Sequence, residues 1–214
     1  MSRSARHFLI FAAGALVCLA FWFGHRHPDG MWRLSMGTAY ASLALLAASL
    51  AIGPWNLLRR QPNPVSGYLR RDVGIWAGVF GIAHVVFGLQ VHFVGRMWLY
   101  FVPAPGTSYR LPVRIDPFGL ANWTGLFATL VLVLLLALSN DASLKKLGRD
   151  RWKSLQRWNY AGAILVVVHG ALYQVIEKRG LVLVGACLVI VGVAAALQLA
   201  GYRETRHKRL GRVR

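Results

Sequence analysis

Six stretches of the 214-residue chain are almost free of charge: residues 8–24, 38–58, 73–95, 118–139, 158–176 and 181–202. Each approaches or reaches the ~20 apolar residues that carry a helix across a hydrocarbon core of ~30 Å. Polar and charged residues gather between them. A lone helix satisfies its own backbone hydrogen bonds, so in lipid such runs are helices. The pattern predicts an all-α, polytopic membrane protein: one domain over 1–214, a bundle of six transmembrane helices. Three longer connections separate the runs. Residues 58–72 form a proline-containing turn between two Arg pairs. Residues 96–117 hold four prolines, which forbid a long helix and predict a segment lying along the membrane surface, with Trp98, Tyr100 and Phe101 at the interface. Residues 140–157 read as a short amphipathic helix.

A formal net charge of +18 could signal a nucleic-acid partner, so its placement matters. Of the 25 Lys and Arg residues, 18 fall in alternate segments on one side of the bundle and 7 on the other. That is the positive-inside asymmetry. It predicts a membrane protein with both termini cytoplasmic, the lipid bilayer as its surroundings and no nucleic-acid partner. The basic start and apolar run at the N-terminus resemble a signal peptide, but Phe21, Trp22 and Phe23 occupy the place of a small-residue cleavage site. A retained first helix is expected. Cys18 and Cys187 fall mid-helix and offer neither a disulfide framework nor metal spacing.

Chemistry concentrates in GIAHVVFGLQVHFVGR, residues 81–96. An ionisable group inside a bilayer is by default a functional group with a partner to find. Of the seven histidines, His7, His25, His27 and His207 lie in tails or loops, leaving His84, His92 and His169. His84 stands 12 residues beyond Asp72 and His169 12 beyond Arg157, which puts each imidazole ~18 Å along its helix. Two histidines at matched depth on parallel helices can hold one metal from opposite faces of a planar macrocycle, and zinc, which wants four ligands, is a poor match. Gly81 and Gly88, three before and four after His84, share its face and are expected to leave space above and below the imidazole; glycines so spaced also serve close helix packing. His92, ~12 Å further along, reads as an interfacial residue. Arg70, Arg71, Arg157 and Arg96 stand near the helix ends, where they could pair with haem propionates; membrane anchoring explains the first three as well.

Three segments together carry a resemblance: HVV around His84, the connection LGRDRWKSLQRWNY, and AGAILVVVH ending at His169. From about residue 37 to 202 the chain resembles the ferric-reductase-like transmembrane domain family, and within it the haem-binding membrane subunit of the bacterial periplasmic methionine sulfoxide reductase system. The resemblance implies a bundle holding b-type haem with His84 and His169 as axial ligands. It implies electrons carried across or into the bacterial inner membrane. With no flavin or nicotinamide module in the sequence, they are expected to come from a cytoplasmic flavoprotein reductase or quinol and to leave to a periplasmic acceptor, with a quinone, or a flavin on a partner, as companion cofactor. Relatives commonly carry further histidines 13 residues before each ligand; here those positions are Arg71 and Gln156, so one haem per chain is expected. The chain contains no G-x-G-x-x-G unit, and its own part would be that of an electron-transfer subunit. A different class fits the same helices: a haem-free transporter or assembly factor using buried histidines.

Overall fold

The computed structural model describes residues 1–61, 68–107, 109 and 111–210. Its described elements are helical: α1 Arg3–Gly24, α2 Gly30–Leu58, α3 Tyr68–Gly88, a 3-10 turn at Met97–Tyr100, α4 Pro117–Leu138, α5 Asp141–Leu147, α6 Arg149–Gln156, α7 Trp158–Ile176 and α8 Leu181–Leu210. Part of the 58–72 connection (residues 62–67) lies outside the described residues, as do 211–214.

Side chains that cannot satisfy themselves in a helix set several boundaries. Asp29 caps α2 by accepting from the Met31 N–H, and Asp116 caps α4 by accepting from the Gly119 N–H with Pro117 at the first helical position. Both are ordinary helix starts, where a short polar side chain replaces a missing intrahelical acceptor. Five helical segments are long and apolar enough to cross a membrane, and the chain is a multi-pass membrane protein. The helix of His84, α3, is not among the five, because Arg70, Arg71 and Asp72 lie in its first turns.

Those charges displaced α3 from its expected range of 73–95. They are not a boundary, because Arg71 and Asp72 each find a partner. Asp72 is fully buried against Arg6, whose Nη2 is 2.8 Å from Oδ2, with the His7 ring 3.4 Å from Oδ1. Arg71 reaches Asp141 at 2.6 Å. At its other end α3 stops at Gly88, because the Tyr100 hydroxyl donates to the Gly88 carbonyl and accepts from the His92 N–H. The proline-rich connection is therefore not a strip on the membrane surface alone: it sends Leu99 and Tyr100 into the end of the bundle, where both are buried. The connection after α4 is two helices, not one. They break at Gly148, whose φ of +73° favours glycine.

Packing divides the helices into two groups. α2 is the hub of one, meeting α1, α3 and α8, while α4 pairs with α7. The groups join where α3 meets α4 and where Ala163 and Val166 of α7 pack on Leu46, Leu50 and Ala77. A cavity lies between the groups, lined by residues of α2, α3, α4 and α7.

Candidate haem site

The structure brings His84 and His169 together across that cavity, with ring centroids 6.0 Å apart and planes at 71°. Metal–imidazole bonds are about 2 Å, so two rings sharing one metal from opposite sides have centroids roughly 6 Å apart.

Each ring is oriented by a backbone carbonyl on a neighbouring helix. Nδ1 of His84 lies 3.0 Å from the Ser35 carbonyl of α2, with the Ser35 hydroxyl at 3.2 Å. Nδ1 of His169 lies 2.7 Å from the Ala121 carbonyl of α4. A carbonyl oxygen only accepts, so Nδ1 must carry the proton in both rings. Nε2 is then the lone-pair nitrogen on each. This is the arrangement in which ligating histidines are usually held, with the second nitrogen donating to a fixed acceptor.

Ala121 is within reach because Gly125, one turn on, has no side chain. A Cβ there would lie 2.7 Å from Nδ1 and 2.8 Å from Cε1 of His169. Sequence spacing did not mark Gly125, Ser35 or Ala121, because all three act from helices that carry no histidine of the pair. Below His169, Tyr173 donates from its hydroxyl to Asn122 at 2.8 Å, with its ring centroid 5.0 Å from the imidazole.

The glycines divide differently from expectation. Gly81 and Gly88 line the cavity, and of the two Gly88 borders the imidazole, since a Cβ there would lie 3.7 Å from Cε1 of His84. A Cβ at Gly81 would meet Leu132 at 3.0 Å and Ser42 at 3.1 Å, and one at Gly88 would meet Ser35 at 3.3 Å. Gly81 serves the close approach of α2 and α4, and Gly88 that of α2 alone. The open position is Gly170, where a Cβ would meet nothing within 4 Å and which also lines the cavity.

Arg71 and Arg96 do not line the cavity. Arg71 is occupied by Asp141, and Arg96 is exposed at the start of the 3-10 turn. The Lys or Arg that does line it, among the described residues, is Arg179. His92 lies in the turn beyond α3, with Nε2 3.2 Å from Oε1 of Glu177. Burial pulls the Glu177 carboxyl up, but hydrogen bonds from His92 and Arg179 outweigh it and hold the group at about 2.

The cavity has a volume of about 270 Å³, and its polar atoms are mostly neutral hydroxyls and amides around two imidazole lone pairs. No group of three or more His, Cys, Asp or Glu among the described residues could hold a bare metal ion. Two lone-pair nitrogens, an open glycine beside one of them and an apolar slot suit a flat macrocycle that brings its own equatorial ligands.

A multi-pass helical membrane protein with a facing histidine pair in its interior is the class that the fold and site define. No family model matches the chain. It is 31% identical over 166 residues to the protein-methionine-sulfoxide reductase heme-binding subunit MsrQ of Bordetella pertussis, covering 75% of this chain and 73% of that protein. To the protein of the same name from Yersinia pseudotuberculosis it is 27% identical over 136 residues, covering 62% of this chain and 58% of the relative. A Yersinia pestis counterpart matches at 27% over 136 residues. The chain belongs to the family of MsrQ heme-binding subunits.

Proposed function

We propose that the protein is a b-type haem carrier of the bacterial inner membrane that moves electrons between a cytoplasmic flavoprotein or quinol donor and a periplasmic acceptor. The single observation that carries this reading is the His84–His169 pair, 6.0 Å between centroids, with both Nδ1 protons committed to carbonyls. Haem bound there supplies one-electron chemistry at its iron. His84 and His169 would hold it through Nε2, and the chemistry it would supply there is electron transfer. Ser35 and Ala121 fix the ring tautomers, Gly125 keeps the His169 ring against its acceptor, and the apolar slot excludes water.

In this reading α3 is a sixth span: its 21 residues extend roughly 30 Å, and its charged first turns sit at the cytoplasmic interface. Both termini are cytoplasmic, and the connection holding Leu99 and Tyr100 is periplasmic. One haem per chain is supported by Gln156 and Arg71 at the positions where relatives commonly carry further histidines. The protein acts as an electron-transfer subunit with separate redox partners.

Visible spectroscopy with a pyridine haemochrome assay on the purified protein tests the reading. The expected result is one low-spin haem b per chain, lost or converted to high-spin in His84→Ala and His169→Ala and retained in His92→Ala. A colourless preparation, or unchanged low-spin haem in either ligand variant, would sink it.

A further inference from the structure

We propose that Arg179 binds the carboxylates of the macrocycle and so turns its carboxylate edge toward the His92 end of the bundle. The inference rests on the reading of His84 and His169 as axial ligands and adds the orientation of the group between them.

The Arg179 N–H donates to the Gln174 carbonyl at 3.1 Å and the Lys178 N–H to Val175 at 3.2 Å, the crossed pair that ends many helices. That motif usually has glycine where the chain turns left-handed. Here the residue is Lys178, with φ +47°, a left-handed conformation that L-residues other than glycine rarely adopt. The turn sends the Arg179 side chain back along α7 instead of away from it. Its guanidinium carbon lies 5.8 Å from the Tyr173 ring centroid, and its side chain is only 13% exposed. Tyr173 in turn touches His169. Arg179 is thereby delivered to the cavity beside one member of the histidine pair.

Charge narrows the choice. A porphyrin with two carboxylates cannot be buried cheaply unless cations or strong donors meet them. Arg179 is the one Lys or Arg lining the cavity among the described residues. Arg71 is 13 residues from His84, roughly 20 Å along the helix, and is held by Asp141. Arg179 spends Nε and Nη2 on a single oxygen of Glu177, at 3.1 and 2.9 Å. The other Glu177 oxygen has its own partner in His92. Glu177 therefore stays partnered if Arg179 shares its fork with a second carboxylate, and that planar fork matches carboxylates in pairs. His92, Glu177 and Arg179 also line a wider open cleft of about 890 Å³ reaching His25, His27 and Lys178. The carboxylate edge would meet water there.

The test uses the haem-loaded full chain, reading the propionate bending band by resonance Raman, the midpoint potential by spectroelectrochemistry, and haem loss to apomyoglobin. Arg179→Gln should shift the band, lower the potential and weaken haem retention roughly ten- to hundredfold, the range for hydrogen bonds to charged groups. Its fresh low-spin spectrum should persist. Arg179→Lys should recover part of the potential, and Arg71→Gln and Arg96→Gln should change neither band nor potential. A double variant, Arg179→Gln with Glu177→Gln, removes cation and counter-ion together and should keep the shifted band. Return of the normal band in that double variant would make Arg179 a partner of Glu177 only and overturn the proposal. An unmoved band in Arg179→Gln, or a band moved by Arg71→Gln or Arg96→Gln instead, would overturn it too. A wild-type protein without low-spin haem would overturn the histidine reading, and this inference with it.

Discussion

Gly125 shows how much one missing methyl group can decide. A Cβ there would overlap the His169 ring at 2.7–2.8 Å. That ring cannot yield without leaving its carbonyl acceptor on Ala121. Gly125→Ala is expected to displace the imidazole, lose most of the low-spin haem signal and destabilise the fold by about 1–3 kcal/mol, as overpacking does. Gly185→Ala, where a Cβ meets open space, should leave the spectrum intact. Asp72 is the other residue on which much rests. It is fully buried beneath Arg6, Arg3 and His7 and ties the start of α1 to α3. Asp72→Asn removes the charge but leaves Arg6 free to turn toward water, so the expected loss is about 1–3 kcal/mol, below the penalty for stranding a fully buried charge. Thermal unfolding in detergent reads it. His84 and His169 were legible in the sequence because depth along a helix follows from counting residues. Gly125 and Ser35 were not, because their partners come from other helices.

At the scale of elements, Asp116 and Glu177 make one end of the bundle sensitive to acid. Hydrogen bonding from Arg114, opposed by burial and aided by Tyr109 and the Gly119 N–H, holds Asp116 at about 2. Glu177, between His92 and Arg179, is likewise at about 2. Both folded values lie below the ordinary carboxylate values near 4. Their stabilisation is complete above that ordinary range and is lost as the pH falls from it toward 2. Asp116 caps α4, and Glu177 joins the end of α7 to the turn after α3, so this end should loosen on acidification. Acid titration followed by tryptophan fluorescence checks it, and Glu177→Gln should flatten part of the pH dependence between 4 and 2. Element ranges were readable wherever apolar run and helix coincide, as in α7, expected at 158–176 and found at Trp158–Ile176. The reading shifted for α3, because a charged residue looks like a boundary until its tertiary partner is known. Asp141 and Arg6, which neutralise Arg71 and Asp72, lie about 70 residues away in sequence.

For the molecule as a whole, the split of basic residues makes orientation testable apart from haem. With 18 Lys and Arg in one set of alternate segments and 7 in the other, alkaline phosphatase fused after residue 27 should be active in the periplasm and fused at the C-terminus should be inactive. Two helix groups with a cavity between them also explain why the interior is sparsely buried. Most of the surface of α8 faces outward, with Leu181, Val182, Leu188 and Val189 exposed, as a lipid-facing helix requires when its neighbours are hydrocarbon chains.

Hydropathy and charge placement are properties of single segments, and segments in lipid must become helices because no other local structure satisfies the backbone. The all-helical class, the multi-pass character and the matched depth of His84 and His169 therefore followed from the sequence by itself. Only the tertiary structure decided which carbonyls orient the imidazoles, which glycines close the packing and which leaves space, and that Arg179 rather than Arg71 or Arg96 reaches the cavity. Each of those depends on how helices far apart in the chain approach one another, and helix-to-helix distance leaves no periodic mark on a single segment.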